Sequence, residues 1–392
     1  MKMASPVTCI APVNIAVIKY WGKRDEKLIL PLNDSLSATL STEQMHAKTT
    51  VMISPNFTKD RIWLNGKEES FENPRLIACI REIRKRASST NGKNGELKVH
   101  VCSENNFPTA AGLASSAAGY ACLVYTLGKA FGVEGDLTTI ARQGSGSACR
   151  SLMGGFVRWM KGTQNDGSDS IAEQVFDENH WPNMRVLILV VSDSRKKVSS
   201  TSGMQLSVKT SDLLKHRVQN VVPQRTKEII QALENKSFHT FAELTMKDSS
   251  TFHAVCLDTY PPAVYMNDVS HSIVDFVHRY NKSKGSNKVA YTFDAGPNAC
   301  LFLLEEDVPE VVGLIKAVFP PHVDGGTFMR GLPVENAVIQ QDMDVLLPSG
   351  PHEAGMIKYV IHTKVGSGPK TLDRKDCHLL NGEGLPKNLI SS

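Results

Sequence analysis

The amino-acid sequence predicts a mixed α+β protein in two halves that meet near residue 185. Three observations carry that expectation. Short strand-like runs alternate with helical stretches in the first half, a continuous apolar run occupies residues 186–191 just after Trp181-Pro182-Asn183, and longer helical periodicities dominate behind it. A chain of 392 residues is long enough for two domains, which commonly hold about 100–200 residues each. We therefore expect one domain over residues 1–185 and a second over 186–392.

In chain order, residues 47–53 read as a strand. Arg61-Ile62-Trp63-Leu64-Asn65-Gly66-Lys67 reads as a hairpin, because an Asn-Gly pair following an apolar run supplies the two positive-φ positions of a tight turn. Asn73-Pro74 provides a cap and a first-turn proline for a helix carrying Leu76, Ile77, Ile80 and Ile83 on one face. Leu97, Val99 and Val101 alternate as a half-buried strand leading into a loop at 105–112. Beyond the apolar strand at 186–191, helices are expected over 212–222, 223–234 and 262–280, strands at 289–293 and 299–304, a helix at 308–319, an irregular segment at 320–355 and a last strand at 359–362.

The 44 Lys plus Arg nearly balance the 40 Asp plus Glu, leaving a net charge of +4. Such a balance offers no molecule-wide attraction for nucleic acid, so none is expected as a partner. The eight cysteines form no Cys-x-x-Cys pair and no histidines stand at ligand spacing, which predicts free thiols and no zinc. Residues 109–128 carry no charge over about the length that spans a bilayer. Gly, Ser and Thr interrupt that stretch and Pro108 leads into it, so it reads as a buried helix rather than a membrane span. Pro6 and Pro12 break the first apolar stretch and the chain ends Ile390-Ser391-Ser392, so no export or peroxisomal signal is read and a cytoplasmic location is expected.

Four segments carry candidate chemistry. Asn105-Asn106-Phe107-Pro108-Thr109-Ala110-Ala111-Gly112-Leu113-Ala114-Ser115-Ser116 follows a strand and opens a long helix. Its small side chains let an anion approach the unpaired N–H groups of a helix start, and Ser115 and Ser116 add hydroxyls for phosphate or Mg²⁺. It lacks the Gly-Lys-Ser/Thr ending of a Walker A loop, and tight helix packing is the alternative reading. Asn14 and the run Lys19, Tyr20, Trp21, Gly22, Lys23 and Arg24 suit an anionic ligand, or form a solvated charged loop. Gln143-Gly144-Ser145-Gly146-Ser147-Ala148-Cys149-Arg150 can converge amides on an oxyanion while Arg150 grips a carboxylate or phosphate, or is a turn between helices. Asp294 ends a strand beside Ala295-Gly296 and can serve as a base, or simply shape a turn. Ser199, Ser200, Thr201 and Ser202 form a hydroxyl-rich loop. Together these point to a phosphorylated substrate and a nucleotide, without naming the reaction.

The loop at 108–117 resembles the phosphate loop of the galactokinase, homoserine kinase, mevalonate kinase and phosphomevalonate kinase superfamily. The longer strings at 11–24, 106–119, 145–151 and 291–299, with Asn33-Asp34-Ser35-Leu36-Ser37, Thr245-Met246-Lys247-Asp248-Ser249 and 253–262, are similar to the diphosphomevalonate decarboxylases over residues 7–387. The resemblance implies a ribosomal-protein-like N-terminal half and a ferredoxin-like C-terminal half with the active site between them. It implies an enzyme that uses ATP and Mg²⁺ to convert mevalonate 5-diphosphate to isopentenyl diphosphate, ADP, phosphate and CO₂, and a homodimer. By the same resemblance, Asp294 orients or deprotonates the substrate hydroxyl, Arg150 holds its carboxylate, and Lys19 and Ser115 stand beside the reacting groups. Tyr20, Trp21, Gly22, Lys23, Arg75, Ser145, Gly146, Ser147, Ala148, Cys149 and Thr201 would surround the substrate. Asn106, Pro108, Ala111, Gly112, Leu113, Ala114, Ser115 and Ser116 would hold ATP, with Ser115 and Ser116 on the metal. A mevalonate-type kinase that stops after phosphoryl transfer, and a catalytically silent binding protein, are the alternatives.

Overall fold

Strand Asn14–Ile18 decides the architecture, because it leaves one sheet and enters another after a single residue. A computed structural model describes residues 5–91, 97–107, 115–192, 198–322, 327–335 and 350–388. Val7–Pro12 lies in a six-stranded sheet ordered Lys370–Thr371, Val7–Pro12, His46–Ser54, Lys98–Asn105, Arg61–Leu64, Lys67–Glu69. After Val13 the chain joins a four-stranded sheet ordered Ala172–Phe176, Phe156–Trp159, Ser35–Thr39, Asn14–Ile18. Helices Pro74–Asn91 and Ser115–Phe131 cover this half, the second packing on Val7–Pro12 and His46–Ser54.

The local predictions there have visible causes. Asn65 and Gly66 take φ of 48° and 82°, the left-handed pair that closes the hairpin. Asn73 Oδ1 accepts from the Arg75 N–H at 3.0 Å and caps the first helix. The stretch once weighed as a membrane span contributes Ser115–Phe131, and no helix among the described residues is long and apolar enough to cross a membrane.

The second half centres on the apolar run. Met184–Val190 is buried throughout and lies between Ala299–Leu304 and Tyr359–Lys364 in a five-stranded sheet completed by Val289–Phe293 and Met329–Gly331. Helices Phe238–Asp258 and Asp268–Ser283 pack on Val289–Phe293. One cluster of buried side chains runs through both halves, joining Ile15, Val17 and Ile18 to Tyr291 and Phe293. The end of the chain then returns: Lys370–Thr371 pairs with Val7–Pro12, and Leu380 packs with Met52 and Trp63 of the first sheet.

Three helical expectations change. The helix expected from 262 begins at Asp268, because the Asn267 side chain accepts from the Ser270 N–H at 3.0 Å in a reciprocal cap that outranks the proline signal. The segments at 212–222 and 223–234 form Asp212–His216, one wide turn at Arg217–Val221 and Val222–Glu234. Pro223 lacks the N–H a continuing helix would need, and the wide turn carries the chain past it. Helix Phe238–Asp258 went unread, since its buried face includes Thr245, Asp248, Ser249 and His253 and so breaks the apolar period.

His253 reports on that polar face. Burial, followed by the Lys19 ammonium, pushes its pKa down to about 4; the Phe293 backbone and Asp294 carboxylate oppose this and His271 adds to it. An unfolded imidazole titrates near 6.5, so between these values the unfolded chain binds the proton more readily and stability falls as the pH drops. The loss amounts to about 3 kcal/mol at most. Urea unfolding of His253→Gln across this window should show a flatter acid slope than the parent, and an identical slope would assign the loss to other groups.

Candidate active site

Three helices start at one cavity. Pro74–Asn91, Ser115–Phe131 and Ser200–Thr210 bring Arg75, Ser115, Ser116, Ser200 and Thr201 to the lining of a cleft of about 350 Å³ between the halves. A helix start leaves N–H groups unpaired and carries partial positive charge, so three of them favour anions. Among the described residues the lining adds Lys19, Lys23 and Arg150 to Arg75, against one carboxylate, that of Asp294. The hydroxyl run at 199–202 is no loose loop: Ser199 Oγ accepts from the Ser202 N–H at 3.1 Å and caps its helix. Arg75 Nη2 donates to Thr201 Oγ1 at 3.1 Å and bridges the halves across the cleft.

Lys19 and Asp294 each sit one residue beyond a strand, Asn14–Ile18 and Val289–Phe293. Their side chains meet at 2.5 Å, with the ammonium buried and the carboxylate about one-third exposed. The pair presents an oriented carboxylate with a cation behind it, a geometry suited to handling the proton of a bound hydroxyl.

Arg150 lies on the turn Gly146–Leu152 and is buried. Its guanidinium donates to Ser35 Oγ at 2.6 Å, Ser37 Oγ at 3.0 Å and Asn14 Oδ1 at 3.3 Å, all neutral acceptors. Among the described residues no carboxylate stands within ion-pair distance of it, and burial pushes its pKa down from the usual arginine value. A buried guanidinium among neutral acceptors has a chemistry suited to an anionic group such as a carboxylate. The Tyr20 ring packs against Trp159 with centroids 4.7 Å apart and planes tilted by 59°, and its buried hydroxyl finds no partner among the described residues. Burial drives the phenol pKa up, so it remains a neutral donor. Lys23 pairs with Glu26 at 2.6 Å. Gly146 is required sterically, because a Cβ there would lie 2.9 Å from the Tyr20 ring.

The remaining predicted residues separate by position. Trp21, Ser145 and Ser147 line the cavity, and the Trp21 Nε1–H donates to Ser207 Oγ at 2.9 Å within a small core with Phe252 and Tyr265. Gly22, Ala148 and Cys149 lie behind the lining; Cys149 packs with Val157 and Trp159. Asn106 secures its own strand end, accepting from the His46 N–H at 2.8 Å and donating to the Gln44 carbonyl at 3.2 Å. Pro108, Ala111, Gly112, Leu113 and Ala114 lie outside the described residues. Arg24, a cation of the same run, turns away to the carbonyls of Lys161 and Gln164.

Two features escaped the sequence reading. Ser35 and Ser37 hold Arg150, and Asp248 with Arg217 holds Lys19; Ser35, Ser37 and Asp248 lie within the family-like strings and Arg217 does not, and only the fold assigns them partners. A second cavity of about 420 Å³ shares Ser115 and Ser116; Ile62, Leu64, Leu76, Val101, Tyr120 and Leu123 give it an apolar wall, and Asn65, Glu69, Asn73, Glu104 and Asn105 a polar one. It is assembled from five separate elements, so no local string announces it.

Family models match both halves: residues 11–172 fit a diphosphomevalonate decarboxylase-like N-terminal domain and residues 186–372 a mevalonate 5-diphosphate decarboxylase C-terminal domain. The diphosphomevalonate decarboxylase of Rattus norvegicus is 57% identical over 389 residues, covering 97% of each chain. The solved mevalonate diphosphate decarboxylase of Trypanosoma brucei superposes with a TM-score of 0.88 at 40% identity, over 95% of this chain and 99% of its own. A further solved relative, in complex with MVAPP, AMPPCP and magnesium, superposes at 0.72 with 29% identity over 94% of this chain and 99% of its own. The chain belongs to the diphosphomevalonate decarboxylase family.

Proposed function

We propose that this chain catalyses the ATP-dependent decarboxylation of mevalonate 5-diphosphate to isopentenyl diphosphate, ADP, phosphate and CO₂. The observation that carries the reading is the pairing, in one cleft, of an oriented carboxylate at Asp294 with a buried cation at Arg150 that has no carboxylate partner among the described residues. The substrate hydroxyl is tertiary and a very poor leaving group, so it must first become a phosphate ester. Asp294, steadied by Lys19, receives or orients the hydroxyl proton while the oxygen takes the γ-phosphoryl group. The new ester then leaves as phosphate with the C–O electron pair, and the electrons of the bond to the carboxylate form the alkene as CO₂ departs. Arg150 holds that carboxylate in line. Its role is geometric, because a cation that bound the carboxylate too tightly would stabilise the ground state as its charge is lost.

Tyr20, Lys23, Arg75, Ser145, Ser147 and Thr201 are the donors assigned to the substrate diphosphate, with Trp21 and Gly146 walling it. The nucleotide phosphates are assigned to the start of Ser115–Phe131 and the loop before it, and the second cavity beyond Ser115 and Ser116, with an apolar wall at Ile62, Leu64, Leu76 and Tyr120 and polar edges at Asn65, Asn73 and Asn105, suits a purine base. Mg²⁺ prefers oxygen ligands and screens phosphate charge when bound; the hydroxyls of Ser115 and Ser116 are the protein oxygens offered beside it. We propose a cytoplasmic location, and a homodimeric assembly as the resemblance implies.

The deciding assay incubates the protein with ATP, Mg²⁺ and carboxyl-labelled mevalonate diphosphate and follows three products. Equal release of ADP, phosphate and CO₂ is expected, whereas ADP without CO₂ would leave a kinase. Asp294→Asn should keep ATP binding by calorimetry yet lose about a hundredfold or more in kcat, a transition-state cost of roughly 3 kcal/mol. Near-normal CO₂ release by that variant would remove Asp294 from its role. For Arg150→Gln the expected result is a drop of about a hundredfold in kcat/KM for the substrate with ATP affinity maintained, and an unaltered kcat/KM would dismiss the carboxylate contact.

A further inference from the structure

The Lys19–Asp294 contact joins the ends of strands from different sheets, and one helix holds both ends. Asp248, in the middle of Phe238–Asp258, is fully buried and accepts the Lys19 backbone N–H at 2.8 Å. Arg217 donates to both Asp248 carboxylate oxygens at 2.8 Å, and its Nη2 donates also to the Lys19 carbonyl at 3.2 Å. Asn33 Nδ2 is a second donor to that carbonyl at 3.1 Å, and Arg225 donates to Asp248 at 3.1 Å. The next residue, Ser249, accepts the backbone N–H of Phe293 at 3.0 Å, immediately before Asp294. Consecutive residues of one helix therefore fix the main chain of both members of the pair.

Burying such ions costs several kcal/mol each, and an apolar group of the same volume usually stabilises a core as well or better. Burial pushes the Asp248 carboxyl up, but the Arg217 guanidinium more than reverses it and keeps the group ionised. The arrangement is thus a poor choice for stability alone, whereas its hydrogen bonds end on the backbone of Lys19. A displacement of about 1 Å in a reacting group can cost roughly a hundredfold in rate.

We infer that Asp248, gripped by Arg217, is a positioning residue that sets the Lys19 main chain so that its ammonium meets Asp294, while Ser249 registers the strand that carries Asp294. The inference rests on the decarboxylation reading for its kinetic consequence, but its geometric consequence does not.

The test uses the full chain with ATP, Mg²⁺ and mevalonate diphosphate, with rates expressed per ATP-binding site. Asp248→Asn should lower kcat by about tenfold or more while both KM values stay within about threefold. In a Lys19→Ala background the same change should cost less than about twofold further, because Asp248 acts through Lys19; independent, multiplying losses would overturn the inference. If Asp248→Asn does not fold, Ser249→Ala decides: about a threefold or larger fall in kcat with unchanged KM supports positioning, and an unchanged kcat refutes it. A crystal structure of the folded variant gives a readout independent of turnover. Lys19 Nζ displaced by about 1 Å or more from Asp294 supports the clamp, and an unmoved pair overturns it even if the parent protein releases no CO₂ and the functional reading itself has failed.

Discussion

The 2.5 Å contact between Lys19 and Asp294 is the constraint on which the rest of the molecule turns. Lys19 follows a strand of the four-stranded sheet and Asp294 follows a strand of the five-stranded sheet, so the pair forms only when the two halves share a core. The continuous apolar cluster from Ile15 to Phe293 provides that rigidity. A site built on strand ends, supported from behind by a buried helix, keeps its geometry better than one carried by loops. The cleft is thereby a property of how the sheets dock, with helix starts supplying its polar rim.

Electrostatics then sorts the ligands. Over the whole molecule the charge is nearly balanced, yet among the described residues the lining of the cleft carries four cations and one carboxylate, with Arg75 at a helix start. Two of the cations have partners, Lys19 on Asp294 and Lys23 on Glu26, while among the described residues the Arg150 guanidinium has only neutral hydrogen-bond acceptors. Such a distribution favours polyanions in the cleft and is the basis on which we propose Arg150 as the partner of a small anionic group. An excess of positive charge this local leaves no trace in a net count, because acidic residues elsewhere on the surface cancel it.

Much of the fold was legible because local chemistry decided it. The Asn65-Gly66 turn, the Asn73-Pro74 helix start and the apolar run at Met184–Val190 each follow from a few adjacent residues. Helix Phe238–Asp258 was not legible, since the residues that matter there are polar and point inward, and a reader of apolar periodicity sees no stripe. The same cause hid Asp248 and Arg217. Likewise the Ser199-Ser200-Thr201-Ser202 run read as loop, although the cap made by Ser199 is what aims Thr201 at the cleft.

By itself the sequence singled out the candidate groups: Lys19, Asp294, Arg150 and the serines at 115 and 116 are residue types whose chemistry suits phosphate and a carboxylate. It also determined the family, through strings long enough to be specific. Tertiary structure alone decided which of the neighbouring residues reach the cleft. It turned Arg24 outward, sank Ala148 and Cys149 behind the lining, gave Arg150 its serine cradle and built the second cavity from five elements. The physical reason is that side-chain chemistry is a local property of the chain, whereas orientation, burial and partnership depend on contacts between residues brought together by the fold, such as Arg150 with Ser35 and Lys19 with Asp294.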